Sequence, residues 1–168
     1  SASLLAVLKA ALEIGAQREA AFDITVGPLV NLRGSGTEFH PDRIPLETDI
    51  AAARRRSGLD KVTLSEAQQA IRKYRPDVFL DLSGIAKGYG VDRVAELMTA
   101  HGIEHYMVEI GGEIRVRGLK EQDTPWRIAI EKPLSGERSV HTMLALSDIS
   151  LATSGNYRNF FEIAGRRY

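Results

Sequence analysis

No cysteine occurs in the 168-residue sequence, so thiol catalysis, cysteine-ligated zinc and disulfide bonds are excluded, and the redox compartment stays open. An excess of one charge is absent too, because 22 basic residues balance 22 acidic ones. A general electrostatic binder of nucleic acid should be distinctly basic, so this balance argues against nucleic acid as a partner. No apolar run approaches the roughly 20 residues that a membrane-spanning helix needs.

The sequence does contain enough apolar material for a folded core. Hydrophobic residues make up 43% of the chain, a normal share for a globular protein, and the length predicts one domain. The chain starts at Ser1 rather than Met and has no signal sequence, which we expect of a processed or excised piece.

Hydrophobic periodicity predicts helices in the first half and mostly antiparallel strands in the second, an α+β fold. The predicted helices cover residues 4–19 with Ser3 as N-cap, 47–57, 65–73 and 85–100, the last ending near Gly102. Short strands are predicted at 22–26 and 78–82, and loops at 27–28 and 34–45. In the second half, strands are predicted at 106–110, 113–116, 126–131, 142–146 and 160–163, with a hairpin turn at 164–165 and a returning strand from 166.

The segment Asp81-Leu-Ser-Gly-Ile-Ala-Lys87-Gly-Tyr-Gly has the strongest chemical signal. It is predicted to follow a strand and open a helix, whose free N–H groups and dipole attract phosphate. Gly84 lets a ligand approach the backbone, Lys87 adds a cation, and Asp81 can bind a hydroxyl, a base edge or a metal-bound water. The alternative is an ordinary strand-to-helix turn, with Asp81 as the cap and Lys87 in solvent.

Three other segments are weaker candidates. In 22–28, the ring of Phe22 can stack on a planar ligand while Asp23 accepts hydrogen bonds; the alternative is a core ring beside a turn carboxylate. In 109–113, the paired glycines permit a ligand to approach the backbone closely; the alternative is a strand bulge whose acids are solvated. In 152–159, small hydroxyls and amides suit a ligand-binding loop or a plain connection.

Two groups of residues are interpreted as structural. The basic run at 54–56 is expected to be a solvated helix face, although it is also able to contact phosphate. The four histidines show neither metal-ligand spacing nor an acid partner, and no Ser-His-Asp arrangement is recognisable. They are His40, His101, His105 and His141.

Five segments in order resemble the successive motifs of the FAD:protein FMN transferases, the ApbE family. They are Phe22-Asp-Ile-Thr-Val-Gly-Pro-Leu-Val-Asn31, Asp81-Leu-Ser-Gly-Ile-Ala-Lys-Gly-Tyr89, Val108-Glu-Ile-Gly-Gly-Glu113, Trp126-Arg-Ile-Ala-Ile-Glu131 and Ala152-Thr-Ser-Gly-Asn-Tyr157. The resemblance extends across nearly the whole chain and implies the ApbE fold.

The resemblance implies a magnesium-dependent enzyme that cleaves FAD, attaches FMN to a threonine of a target flavoprotein and releases AMP. It implies that Asp81 and Lys87 contact FAD, and that the Gly84 carbonyl ligates Mg²⁺. It also places Ala21, Phe22 and Asp23 along the FAD site.

The resemblance further implies partners among the subunits of membrane redox complexes. It implies a site on the periplasmic face of the bacterial inner membrane, with a lipid anchor that is absent from this chain. Relative to the family pattern we expect one domain that is truncated at both ends.

The expected truncation removes three parts of the family pattern: a flavin-contacting Met before the first helix, a later His-Ile-x-Asp-Pro motif with the base, and an Asp and Thr that ligate magnesium. No catalytic residue is therefore assigned, and we expect this chain alone to be inactive. Two alternatives remain: a flavin-binding but catalytically incomplete fragment, and an unrelated α/β nucleotide-binding module.

Overall fold

The computed structural model describes residues 1–17, 21–32, 44–133 and 139–155, and the backbone of 162–163 and 166–167. It divides into two compact units, Ser1–Ile85 with Phe161–Tyr168, and Ala86–Phe160. The expectation of one domain, truncated relative to the family, stays a prediction. In the described part of the chain, no helix has the length and apolarity to cross a bilayer.

The first unit is built mainly from helices. Its elements are α1 (Ala2–Gln17), α2 (Gly27–Leu32), α3 (Glu47–Arg56), a 3₁₀ turn (Leu59–Lys61), the hairpin β1 (Val62–Ser65) and β2 (Ala70–Lys73), the first turn of α4 (Ser83–Ala100), and the pair β8 (Glu162–Ile163) and β9 (Arg166–Arg167). Leu8 and Ala11 lie three positions apart on α1 and pack with Ile24 into a buried cluster. Phe22 and Ile85 pack against this cluster, so the core lies directly beneath the first and second candidate segments.

The helix predicted at 65–73 is wrong, because these residues belong to the β1–β2 hairpin. The strands pair antiparallel from Val62 opposite Lys73 to Ser65 opposite Ala70. Leu64 faces Ile71 across the hairpin, and both pack against the first unit's core, so cross-strand burial overrides the helical spacing.

The short strands predicted at 22–26 and 78–82 are wrong as well. Residues 22–26 form turns that the side chain of Asp23 stabilises, and 78–82 has no regular secondary structure. The 27–28 loop is the start of α2, where Pro28 suits the first turn because it needs no N–H partner there. Ser1 rather than Ser3 caps α1, its Oγ accepting a hydrogen bond of 3.3 Å from the Leu4 N–H.

Several boundaries agree with the sequence-based predictions. Helices α3 and α4 are confirmed, with α4 starting two residues early, and Gly102 follows α4 with a φ of +75° that favours glycine. Arg54 and Arg55 are exposed on the last turn of α3, which confirms a solvated face. Of the loop predicted at 34–45, residues 34–43 lie outside the described residues.

The second unit is built from strands and the remaining length of α4. Its strands are β3 (Tyr106–Ile110), β4 (Glu113–Arg117), β5 (Trp126–Glu131), β6 (Val140–Leu146) and β7 (Ile149–Leu151), with a 3₁₀ turn at Glu121–Asp123. One antiparallel sheet has the order β3-β4-β7, and β5 pairs with β6. Val91 and Ala95 of α4 pack on Tyr106 and Val108 of β3 to form the core of this unit.

The predicted α+β class is confirmed, with helices mainly in the first half and antiparallel strands in the second. The sequence analysis missed β7 and the early β1–β2 hairpin. The predicted hairpin near the end is confirmed by the antiparallel pairing of Glu162 with Arg167. Residues 160–161, 164–165 and 168 of that prediction lie outside the described residues.

Candidate functional site

Asp81 lies two residues before the first residue of α4 and caps that helix. Its Oδ1 accepts a hydrogen bond of 2.9 Å from the Ser83 N–H. A carboxylate at this position takes up one of the N–H groups that have no partner within the helix, and it complements the positive end of the helix dipole. The capping role considered from the sequence is therefore present, and it uses one oxygen of Asp81.

Asp23 stabilises a turn together with the fully buried Thr25. Its Oδ1 accepts two hydrogen bonds of 2.7 Å from Thr25, one from the N–H and one from the hydroxyl. The same hydroxyl oxygen accepts the Gly58 N–H at 2.5 Å, and Thr25 has no exposed surface. The position of the Asp23 carboxylate is thus set by a buried network rather than by solvent.

A backbone hydrogen bond joins the two acid-bearing segments, because the Asp81 N–H donates to the Ile24 carbonyl at 2.7 Å. A Cβ added at Gly84 would lie 3.1 Å from Cε2 of Phe22, so the ring lies over the start of α4 where the chain has no side chain. These contacts bring together four of the predicted site residues, Phe22, Asp23, Asp81 and Gly84. Ala21, next to them in sequence, is exposed.

The start of α4 offers fewer free N–H groups than the sequence suggests. The Ser83 N–H is bound by Asp81, and the Ile85 N–H donates to the Leu82 carbonyl at 3.0 Å. The glycine at position 84 still leaves the backbone approachable. Phosphate binding at this turn therefore stays a prediction that depends mainly on Gly84.

Lys87 lies within the second unit and is not a free cation. Its Nζ is 2.6 Å from Oε1 of Glu113 and donates to the Gly111 carbonyl at 3.0 Å. The Glu113 side chain is only 17% exposed, against 46% for Lys87. The solvated acid considered from the sequence is therefore wrong for Glu113, whereas Lys87 is exposed, as considered, but paired. Sequence reasoning missed the pairing because it joins two distant motifs.

The paired glycines form the tight turn between β3 and β4. Gly111 and Gly112 have φ values of +57° and +92°, which favour glycine, and the Gly112 N–H donates to Oε1 of Glu109 at 3.3 Å. A Cβ at Gly112 would lie 3.7 Å from Oγ1 of Thr153, so the third and fourth candidate segments meet here. Residues 156–159 of the fourth segment lie outside the described residues.

The described histidines are surface or structural, as expected. Nδ1 of His105 accepts the Leu119 N–H at 3.0 Å, Nδ1 of His101 donates to the Leu97 carbonyl at 2.9 Å, and His141 is exposed. His40 lies outside the described residues. Over the described ranges, no three His, Asp or Glu side chains come close enough together to hold a metal.

The second unit also has two open clefts, of about 800 and 870 Å³, which none of the candidate site residues line. Arg115 lines the smaller one and pairs with Asp92 at 2.6 Å. The hydrogen bond to Asp92 raises the pKa of Arg115, which therefore stays cationic. Of the motif residues, Trp126 lines the larger cleft, but neither of these two clefts coincides with the candidate site residues.

Comparison with known proteins covers the whole chain. The model of the ApbE family matches residues 1–168. A FAD:protein FMN transferase of Vibrio cholerae is 48% identical over 168 residues, 100% of this chain and 50% of the relative. The Escherichia coli K12 protein of the same name is 40% identical over 169 residues, covering 99% and 48%.

Solved structures give the same result. The flavin transferase ApbE from Vibrio cholerae superposes with a TM-score of 0.85 at 44% identity, over 99% of this chain and 53% of that one. The ApbE protein of Thermotoga maritima has a TM-score of 0.86 at 31% identity, over 98% and 53%. The chain spans about half the length of the curated relatives it matches.

Proposed function

The chain belongs to the ApbE family, and from this we propose that the protein it represents transfers FMN from FAD to a target protein. In that reaction an acceptor hydroxyl oxygen forms a bond to the FMN phosphorus. The pyrophosphate bond breaks, AMP leaves with the bridging oxygen, and the hydroxyl proton is released. The observation that carries the proposal is that two motifs far apart in the sequence meet at the start of α4. Their residues there are Phe22, Asp23, Asp81 and Gly84.

The residues of the first unit suit the recognition of a flavin nucleotide. The half-buried ring of Phe22 offers an apolar face to a planar ring system. Asp23 and Asp81 each use one carboxylate oxygen to hold their turns. Among the described residues nothing bonds the other oxygen of each, which is left to accept a ligand hydroxyl or N–H. We propose Ala21, Phe22, Asp23 and Asp81 as FAD contacts, and Lys87 in the second unit as a further one.

Magnesium enters this proposal through the family resemblance. The Gly84 carbonyl would supply one oxygen ligand, whereas Mg²⁺ takes about six in octahedral geometry. In the parts of the chain that the structure describes, no group of three acids or histidines comes close enough to complete such a site. The described residues therefore do not by themselves fit the ion, and no step of the reaction is routed through it.

The acceptor and the location are also proposals. The acceptor is a threonine in a flavoprotein subunit of a membrane redox complex. The protein acts on the periplasmic face of the bacterial inner membrane and is held there by a lipid anchor outside this chain. Both follow from the resemblance, and a balanced charge is compatible with a protein partner rather than nucleic acid.

The test is a transfer assay with FAD, magnesium and an acceptor flavoprotein, run on this chain and on the full-length gene product. AMP release is followed together with the mass of the acceptor. We expect transfer by the full-length product and none by the 168 residues alone. Equal AMP release by both would show that the catalytic groups lie within this chain. Absence of transfer and of FAD binding by the full-length product would overturn the proposed function. Binding of ATP or NAD as tightly as FAD would instead favour a general nucleotide-binding module.

Gly84→Val sharpens this test, because the added side chain would meet the Phe22 ring at the bare start of α4. We expect FAD affinity to fall about tenfold, or roughly 1.4 kcal/mol, because the valine side chain would cover the bare backbone that the FAD phosphate has to approach. Gly88→Val on the same helix is the matched control, because a Cβ at Gly88 meets nothing within 4 Å. If titration gives the Gly84 variant the affinity of the parent, the FAD phosphate binds elsewhere.

A further inference from the structure

Glu113 and Lys87 form a connection within the second unit between α4 and the β3–β4 turn. The Oε1–Nζ distance is 2.6 Å, and the same ammonium donates to the Gly111 carbonyl at 3.0 Å. We infer that Glu113 is a positioning residue, which holds Lys87 ready to contact FAD. This inference rests on the proposed function and adds a residue to it.

The hydrogen-bond inventory of the lysine supports this role. An ammonium has three N–H donors, and Glu113 and Gly111 together take two of them. No other described residue takes the third, which is left to point at a ligand. Because the carboxylate offsets the positive charge, Lys87 acts here as one directed donor rather than as a freely moving cation.

The surroundings of the pair restrict the lysine further. A Cβ at Gly111 would lie 2.9 Å from Cδ of Lys87, so the aliphatic part of the side chain runs closely over the turn. Oε2 of Glu113 is buried and makes no hydrogen bond to any of the described residues, so the carboxylate is engaged through Oε1 alone. A largely buried carboxylate with one engaged oxygen is tightly coupled to its partner, because losing that partner leaves the acid with no hydrogen bond to the described residues.

Holding the lysine in advance favours ligand binding through entropy. A free lysine side chain loses up to about 2 kcal/mol of rotamer freedom when it becomes fixed. If Glu113 and Gly111 already fix it, ligand binding does not have to overcome that loss again. Removal of Glu113 should therefore weaken FAD binding even though Glu113 itself makes no contact with FAD.

The experiment measures FAD affinity, by quenching of flavin fluorescence, and Tm for the full-length gene product and four variants. These are Glu113→Gln, Lys87→Met, the double variant, and Glu96→Gln as the control. Glu96 is the control because it is also a glutamate paired with a cation, Arg93, and both residues lie on α4. Unlike Glu113, Glu96 is more than half exposed, as is Arg93. Steady-state kinetics with FAD as the varied substrate separate KM from kcat.

We expect Glu113→Gln and Lys87→Met each to weaken FAD binding about tenfold, and the double variant to be no weaker than the worse single one, since residues that act as a unit are non-additive. KM for FAD should rise while kcat stays near that of the parent, and Glu96→Gln should change neither. A purely structural role would lower Tm and leave FAD affinity unchanged, which would overturn the inference.

Additive losses in the double variant would also overturn it, because the two residues would then act independently. If Lys87→Met weakens binding but Glu113→Gln does not, the lysine contact stands and the positioning role fails. Failure of the parent to bind FAD would instead count against the proposed function, so the two failures are distinguishable.

Discussion

The carboxylates of the two units are held by different kinds of partner. In the first unit, Asp23 and Asp81 each accept a backbone N–H from the residue two positions further along. In the second unit, Glu113 binds a lysine 26 positions earlier in the chain, which α4 brings to it. The first arrangement forms with its turn, whereas the second requires a helix and a sheet to be packed. Local capping and long-range pairing therefore make different demands on the fold.

The largest effect is expected from Thr25, which ties the Asp23 turn to the rest of the first unit. Thr25→Val removes the hydroxyl that donates to Asp23 and accepts the Gly58 N–H, which leaves that half-buried N–H without its partner. We expect the free energy of unfolding to fall by about 2 kcal/mol. Urea denaturation measures the change.

Thr63→Val is the control for the loss of a threonine hydroxyl. Oγ1 of Thr63 donates to the Tyr74 hydroxyl at an exposed position, so its loss should change stability by no more than about 0.5 kcal/mol. Equal effects at Thr25 and Thr63 would mean that the buried network does not hold the Asp23 turn.

The next effect is the difference between two glycine variants, and it is expected to be smaller. It concerns Gly111, over which the Lys87 side chain runs. Gly111→Ala and Gly102→Ala both place a side chain at positive φ, with a cost of roughly 1–2 kcal/mol. Only the first also crowds Lys87, because a Cβ at Gly102 meets nothing within 4 Å. We therefore expect the free energy of unfolding to fall further for Gly111→Ala. In a Lys87→Ala background the two glycine variants should cost the same, and a persistent difference would contradict the proposed crowding.

The smallest effect concerns pH and an exposed acid between β6 and β7. The hydrogen bond from the Gly118 N–H lowers the pKa of Asp148 below its ordinary value. The resulting stabilisation is fully present above the unfolded-state pKa of about 3.9, and it is lost as pH falls through the lower folded-state pKa. We expect Asp148→Asn to reduce the loss of Tm between about pH 5 and pH 2.

Asparagine suits the Asp148 test because it tolerates the φ of +53° at this position. Asp123→Asn, at an exposed turn with a φ of +55°, controls for removal of a surface charge. If Asp148→Asn loses Tm more steeply in acid than the parent does, the carboxylate does not stabilise the fold through the Gly118 N–H.

The fold is predictable from the sequence where a segment follows a single hydrophobic periodicity, that of a strand or that of a helix. The alternation from Trp126 to Glu131 and the long apolar spacing of α4 gave correct elements, because each carries enough repeats for burial on one face. The segment 65–73 was misassigned because so short a stretch can satisfy helical spacing and still pair as two short strands. That choice depends on Leu64 and Ile71 meeting a core formed by other elements, which local sequence does not encode.

The candidate site was predictable in its parts but not in its contacts. The motifs identified Phe22, Asp23, Asp81, Gly84 and Lys87 by resemblance, and Asp81 as a helix cap by spacing. The hydrogen bond from Asp81 to the Ile24 carbonyl and the pairing of Lys87 with Glu113 both join distant segments. A backbone N–H carries no sequence signal for the carbonyl it will meet, and a charged residue within a motif does not reveal which of many opposite charges it will pair with. Neither contact was therefore predictable from the sequence.

The hydrogen bond between the Asp81 N–H and the Ile24 carbonyl closes a long loop, which includes α2, α3 and the β1–β2 hairpin. The entropy of closing a loop grows only slowly with its length, by about 0.6 kcal/mol for each doubling. Insertions or deletions at the exposed turn between β1 and β2 would therefore change the cost of bringing Asp81 to Ile24 very little. Changes in the length of the connecting chain should therefore leave the contact between the two motifs intact.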